Sequence, residues 1–267
     1  MRRSEGTIRI GVGGWTYEPW RKSFYPEGQP HRLELEYASR RLTSIEINGT
    51  YYRRQSPDTF RKWRDETPED FVFAVKAPRY ATNRKVLADA GETVERFLTG
   101  GVMELKDKLG PIDWQFLPTK KFDADDFAAF LALLPPRIDG RDLRHAVEVR
   151  HASFRTAEFV AMARDAGVAV VIAADGPYPS LADLTAPFVY ARLMGTGADQ
   201  PLGYAPAELD RWAERARTWA GGGAPDDLAP LAPAAPSGGG RDVFIYVISG
   251  HKSVNPQAAM ALIQRLG

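Results

Sequence analysis

The chain has 267 residues, 35 lysines and arginines against 34 acidic residues, a formal net charge of +1, a 44% hydrophobic content and no cysteine. Its length suits one α/β barrel of about 250 residues, and the missing cysteine excludes disulfides, thiolate metal sites and thiol catalysis. The even charge balance lacks the broad basic footprint of a nucleic-acid-binding domain, although it leaves room for a local basic patch.

Four histidines, His31, His145, His151 and His251, leave little imidazole for a metal centre, so neither a bound metal nor a cofactor is expected. No apolar stretch follows Arg2 and Arg3, and no run approaches the roughly 18 apolar residues of a membrane helix. A cytoplasmic protein with no membrane partner is expected.

In chain order, short apolar runs predict strands over residues 8–11, 44–47, 72–76, 112–116, 146–150, 169–173, 188–193 and 243–247. Between them lie helical stripes at i, i+3, i+4, i+7: Phe127, Phe130, Leu131, Leu134; Phe159, Met162, Ala163, Ala166; Leu209, Trp212, Ala213, Ala216; Ala259, Leu262, Ile263, Leu266. Ser56-Pro57 and Asn255-Pro256 read as a capping side chain followed by proline at the first helical position. About eight strand–helix repeats imply a parallel sheet clothed by helices. The alternation leaves a doubly wound sheet open, and the fold class expected is α/β, a single-domain (β/α)₈ TIM barrel over residues 1–267.

Gly11-Val12-Gly13-Gly14 has the glycines of a dinucleotide loop, but residues 15–20, aromatic and proline-bearing, follow where a helix should start, so the Rossmann reading fails. Residues 221–240, rich in Gly, Pro and Ala, are expected to be a flexible insertion before the last strand.

Side chains alternate along a barrel strand between the interior and the helices. Ile45 and Ile47, like Val147 and Val149, should face the helices, so Glu46 with Asn48, and Glu148 with Arg150, should face the axis. The same parity points Lys76, Gln115 and Arg192 inward, with Asp175 just past its strand. Inward barrel positions normally carry branched apolar side chains, and barrel enzymes keep their sites at strand carboxyl ends. Buried charges must pair or meet a ligand. Two readings stay open: a self-satisfied ionic plug, or a site. His151 and His251 are further mouth candidates, whereas His145 precedes its strand and belongs to the stability face. Trp15, Tyr17, Trp20, Phe24, Tyr25, Tyr51 and Tyr52 form either a stacking wall for a planar ligand or a loop core, the core reading being stronger for Trp20, Phe24 and Tyr25. Arg79, Arg84 and Lys85 add positive charge to the rim.

The stretches IRIGVGGWTYEPWRKSFYPEG, LTSIEINGTYYRRQSPDTFRKWRDETPEDFVFAVKAPR, LGPIDWQF, HAVEVRHASF, FVYARLMG and GYAPAELDRWAERA together resemble the DUF72 (YecE-like) family. The resemblance runs over nearly the whole chain and implies a TIM barrel. It implies site positions at Trp15, Glu46, Asn48, Tyr51, Lys76, Gln115, Glu148, Arg150, His151 and Arg192. It also shows departures: Val12-Gly13 in place of Thr-Ser, Thr82-Asn83 in place of Thr-His, Met194-Gly195 in place of His-Gly, and Ser249-Gly250 in place of an Asn/Asp-rich end. These strip polar groups from one side of the usual mouth.

Two functional readings follow. One is a metal-independent hydrolase, or a former enzyme, acting on a small anionic or phosphate-bearing ligand. Glu46, Glu148 and His151 would be its catalytic groups, and Trp15, Asn48, Tyr51, Lys76, Gln115, Arg150, Asp175, Arg192 and His251 its ligand-binding groups. The other is a non-catalytic ligand- or nucleic-acid-binding barrel, with nucleic acid disfavoured by the charge balance. A glycosidase is a weaker third option, because Glu46 and Glu148 fall on the second and fifth strands.

Overall fold

The computed structural model describes residues 5–234 and 238–267. Parallel strands β1 (Ile8–Gly13), β2 (Ser44–Ile47), β3 (Val72–Lys76), β4 (Leu109–Gln115) and β5 (His145–Glu148) follow one another in the sheet. The sixth position is filled by two short consecutive pieces, Ala169–Val170, paired with β5, and Ile172–Ala174, paired with β7 (Phe188–Leu193). Val171, between the pieces, still donates its amide to the Val147 carbonyl at 2.9 Å. We treat both pieces as β6. Strand β8 (Asp242–Val247) then pairs with β7 and β1, so the nine hydrogen-bonded strands occupy eight positions in a closed ring. The expected TIM barrel is what forms.

Helices α1 (Glu34–Ser39), α2 (Gly49–Tyr52), α3 (Pro57–Asp65), α4 (Arg79–Thr82), α5 (Gly91–Thr99), α6 (Ala124–Ala132), α7 (Ala157–Asp165), α8 (Pro206–Ala220) and α9 (Asn255–Leu266) lie in the connections. Ser56 caps α3 as expected, its Oγ accepting the Thr59 amide at 3.2 Å. The matching expectation for Asn255 fails. Its side chain accepts the Thr196 hydroxyl at 2.8 Å and donates to the Ser249 carbonyl, and α9 starts without a side-chain cap. The regular strand–helix alternation also fails once: no helix occurs in residues 175–187, where Gly176, Pro177, Pro179 and Pro187 oppose one.

The expected insertion follows α8 and carries no helix or strand among its described residues; residues 235–237 lie outside the described residues. Its first part is tied to that helix-free connection and to α7 and α8. Asp183 accepts the amides of Leu231 and Ala232, Arg164 donates to the Pro233 carbonyl, and Arg215 pairs with Asp227 at 2.7 Å.

Strand parity divides the core in two. The larger layer, with Ile45, Ile47, Val147 and Val149, packs against the helices. The smaller one fills the barrel: Val72, Ala74, Ala146, Ala169, Val171, Phe188, Tyr190, Phe244, Tyr246 and Ile248. Above this apolar fill, toward the strand carboxyl ends, the interior becomes charged. On β1 the inward residues are Gly11 and Gly13, register partners of Ser44 and Glu46. A Cβ on Gly11 would sit 2.0 Å from the Ser44 carbonyl oxygen, so only glycine lets β1 and β2 close here.

Candidate functional site

The inward polar residues meet on one guanidinium. Arg192 of β7 donates from Nε to Glu46 Oε2 at 3.1 Å and from Nη2 to Oε1 at 3.0 Å, a bidentate pair, and from Nη1 to Glu148 Oε2. Glu148 also accepts Gln115 Nε2 at 2.9 Å and Arg150 Nε at 2.6 Å. Glu46 also accepts the Tyr190 hydroxyl at 2.6 Å. Both carboxylates are fully buried. Burial opposes the Glu148 charge, but Arg192, Arg150, Lys76 and the Gln115 amide outweigh it and hold that carboxyl at about 2. Burial and the adjacent Glu46 keep the Tyr190 phenol protonated, as its donor role requires. Below this layer the Tyr246 and Ser44 hydroxyls share a hydrogen bond of 2.7 Å, and Ser44 donates to the Val72 carbonyl.

Asp113 is the residue that the sequence reading passed over. It lies on β4, two residues before Gln115 and therefore on the same face, and it is the register partner of Lys76. It is fully buried, and neither carboxyl oxygen has a hydrogen-bond partner among the described residues. Burial, reinforced by repulsion from Glu148 and Glu46 and opposed by Arg192 and Lys76, pushes its pKa up to about 8. Lys76 is the reciprocal case. Burial and Arg192 push its pKa down against the pull of Glu46, Asp113 and Glu148, and its ammonium lies 4.5 Å from the centre of the Tyr51 ring. Tyr51 is half-buried; burial raises the pKa of its phenol, and the nearby Asn83 side chain and Arg150 oppose that rise. The Arg150 guanidinium stacks 4.1 Å from the Tyr178 ring. Lys76 and Arg150 thus stand at the mouth between two tyrosine faces, above the saturated Glu46–Arg192–Glu148 layer.

The other candidates stand apart from this cluster. Trp15 turns outward, edge-on to Trp63 of α3 at 5.2 Å and near Phe73, so its ring belongs to the helix-facing layer. Asn48 is half-buried at the rim and is oriented by a long contact to the Glu46 carbonyl. His151 accepts the Ser153 amide on Nδ1 at 3.1 Å and caps the turn Ala152–Phe154, which accounts for its position without catalysis. Asp175 is exposed, with a positive φ of 59°, and accepts the Tyr204 hydroxyl at 3.2 Å. His251 is exposed, and its backbone amide bonds the Thr196 carbonyl. His145 is buried between the Trp114 indole and the Pro135 carbonyl, a structural position. Trp20, Phe24 and Tyr25 form a buried loop core with Tyr37. Among the described residues, no group of three or more His, Asp or Glu side chains has the geometry of a metal site, and no helix is long and apolar enough to cross a membrane.

A family model described as "Protein of unknown function DUF72" matches residues 9–267. The UPF0759 protein YecE of Escherichia coli (strain K12) is 29% identical over 150 residues, 55% of this chain and 50% of that protein. The chain thus spans about half the length of the curated relatives it matches. A crystal structure of a DUF72 family protein from Thermotoga maritima MSB8 superposes with a TM-score of 0.69 at 21% identity, covering 97% of both chains. One from Enterococcus faecalis V583 gives 0.71 at 17% identity, covering 97% of this chain and 95% of that one. At these identities the superpositions show the fold, and the family model, matched along nearly the whole length, shows that the chain belongs to the DUF72 family.

Proposed function

We propose that the mouth binds a small anionic, phosphate-bearing ligand on Lys76 and Arg150, and that Lys76 serves there as the proton-transfer group for hydrolysis of that ligand. The observation that carries this reading is the buried Asp113 carboxyl, which has no hydrogen-bond partner among the described residues and is the register neighbour of a lysine of lowered pKa. Burial pushes this carboxyl up to about 8 and pushes the neighbouring ammonium down, the directions that acid–base chemistry at such a pair requires. Asp113, the register partner of Lys76 on the next strand, is a positioning residue that acts through its charge on Lys76. Glu46 and Glu148 have their oxygens occupied by Arg192, Tyr190, Gln115 and Arg150, and they hold the two guanidinium groups rather than exchange protons. In the hydrolysis, the oxygen of water bonds to the phosphorus as the bond from phosphorus to the leaving oxygen breaks; the Lys76 ammonium gives a proton to that leaving oxygen, and the resulting amine takes one from the attacking water, which restores the ammonium.

The same occupied carboxylates also favour a second reading, a non-catalytic barrel that uses the charged layer as a rigid floor for a bound anion. Titration calorimetry with inorganic phosphate tests the shared part of both readings. Saturable binding is expected in the parent, weakened about tenfold or more in Lys76→Met and Arg150→Met, as for lost charge-assisted contacts. No saturable heat in the parent, or equal affinity in all three proteins, overturns both. Turnover of p-nitrophenyl phosphate that vanishes in Lys76→Met favours the hydrolase, and binding without turnover favours the floor.

A further inference from the structure

Beside the mouth lies a cleft of about 440 Å³ between α2, the start of α3, the segment around α4, and α5. Phe60 and Phe97 line its apolar floor. At its edge stand Tyr52 and Tyr80, 63% and 59% exposed, among the few large apolar surfaces that the fold leaves uncovered. Four arginines, Arg53, Arg54, Arg84 and Arg96, line it, and no acidic residue does. Arg84 is fixed by neutral acceptors, its Nε on the Tyr80 carbonyl and its Nη2 on the Thr93 hydroxyl, each at 2.9 Å, so its position is set while its charge is left uncancelled. Arg96 has one carboxylate partner, Glu92, on the exposed side of α5.

We propose that this cleft is a second binding site, separate from the charged mouth, and that it takes a nucleotide unit: a planar aromatic ring joined to a phosphate. Each part answers one feature. Exposed tyrosine faces over an apolar floor suit a flat ring, because stacking buries both faces without demanding particular hydrogen bonds. Four guanidinium groups, of which Arg96 has a carboxylate partner outside the cleft lining, repel one another, and a phosphate relieves that repulsion while accepting paired N–H donors. The volume suits one small molecule. A near-neutral chain also favours a single unit over a long polyanion, whose many phosphates would need a wider basic surface. The cleft meets the mouth at Tyr51, which lines the cleft, covers Lys76 and stands edge-on to Tyr52 at 5.1 Å. The site does not depend on the mouth being catalytic.

The test is equilibrium binding of the four ribonucleoside 5′-monophosphates, adenosine, inorganic phosphate and a (dT)₁₀ oligonucleotide to the parent, Tyr52→Ala, Arg54→Ala and Lys76→Met. Tyr52 and Arg54 are exposed, so neither substitution threatens folding. At least one monophosphate is expected to bind saturably and better than adenosine or inorganic phosphate. Tyr52→Ala and Arg54→Ala should each weaken it about tenfold, while Lys76→Met changes it little. (dT)₁₀ binding that is tighter than every monophosphate and falls steeply with salt would overturn the single nucleotide unit in favour of a single strand. No binding of any nucleotide, or full affinity in both cleft variants, overturns the site. Loss in Lys76→Met alone moves the ligand to the mouth and overturns it equally.

Discussion

Lys76 and Asp113 are register partners on adjacent strands of the barrel, a buried ammonium on the strand beside a fully buried carboxyl that no group among the described residues hydrogen-bonds, Lys76 included. Their pKa values are displaced toward each other, Asp113 upward to about 8 and Lys76 downward, for the same reason: burial taxes the charged form of both.

The first prediction concerns pH and stability. The folded-state pKa of Asp113 lies well above the ordinary aspartate value of about 3.9. Between that value and about 8 the native protein holds a proton that the unfolded chain has released. This contribution is therefore complete below the unfolded pKa and declines as pH rises through the window, by at most about 1.4 kcal/mol per pH unit. Asp113→Asn keeps the shape and removes the titration. Its Tm should match or exceed that of the parent at pH 9, and the gap between the two proteins should change sign or shrink toward pH 5. Parallel melting curves across that range would refute the displaced carboxyl.

Glu148→Gln tests the charged layer. The Glu148 carboxylate receives Arg192, Arg150 and Gln115, so the substitution leaves two cations short of a counter-charge and should cost about 3–5 kcal/mol. Because its pKa is held at about 2, the stability it supplies is present above the ordinary glutamate value and is lost as pH falls toward 2. A denaturant melt showing a loss under 1 kcal/mol would mean that the layer is solvated and not a buried ionic floor.

Tyr190→Phe removes one donor to Glu46 while preserving the ring packed against Tyr246 at 5.1 Å. A hydrogen bond to a charged acceptor is worth about 1.5–3 kcal/mol, and the variant should lose that much. An unchanged denaturation midpoint would indicate that Arg192 alone satisfies Glu46.

Gly11→Ala should impair folding more than any of these. The new Cβ would meet the Ser44 carbonyl at 2.0 Å, and β1 could keep its pairing with β2 only by moving backbone. A soluble variant within about 1 kcal/mol of the parent, less than the usual cost of an overpacked core, would show that the barrel wall yields there.

The sequence made the barrel legible because a period of two separates Ile45 and Ile47 from Glu46, and Val147 and Val149 from Glu148 and Arg150. Parity was reliable wherever a strand lay fully inside the ring. The same rule would have found Asp113, two residues before Gln115, and Tyr190, two before Arg192; attention to strand ends alone passed over them. It carried no information for Trp15, His151, Asp175 and His251, which lie on connections where the backbone, and not the pleat, aims the side chain. Asn255 misled because a capping residue type was read without its tertiary partners, Thr196 and Ser249. The arginine cleft was visible only as scattered rim charge, since α2, α4 and α5 bring it together from distant segments.

The displaced Asp113–Lys76 pair can be observed directly by following aspartate side-chain carboxyl carbons by NMR in ¹³C-aspartate-labelled protein between pH 4 and 10, with Asp113→Asn identifying the resonance. One carboxyl should titrate near 8, vanish in the variant, and shift its midpoint when inorganic phosphate is added. If every aspartate instead titrates below about 5, in the range of ordinary carboxyls, Asp113 is an ionised structural residue and the proton-transfer role of the pair is contradicted.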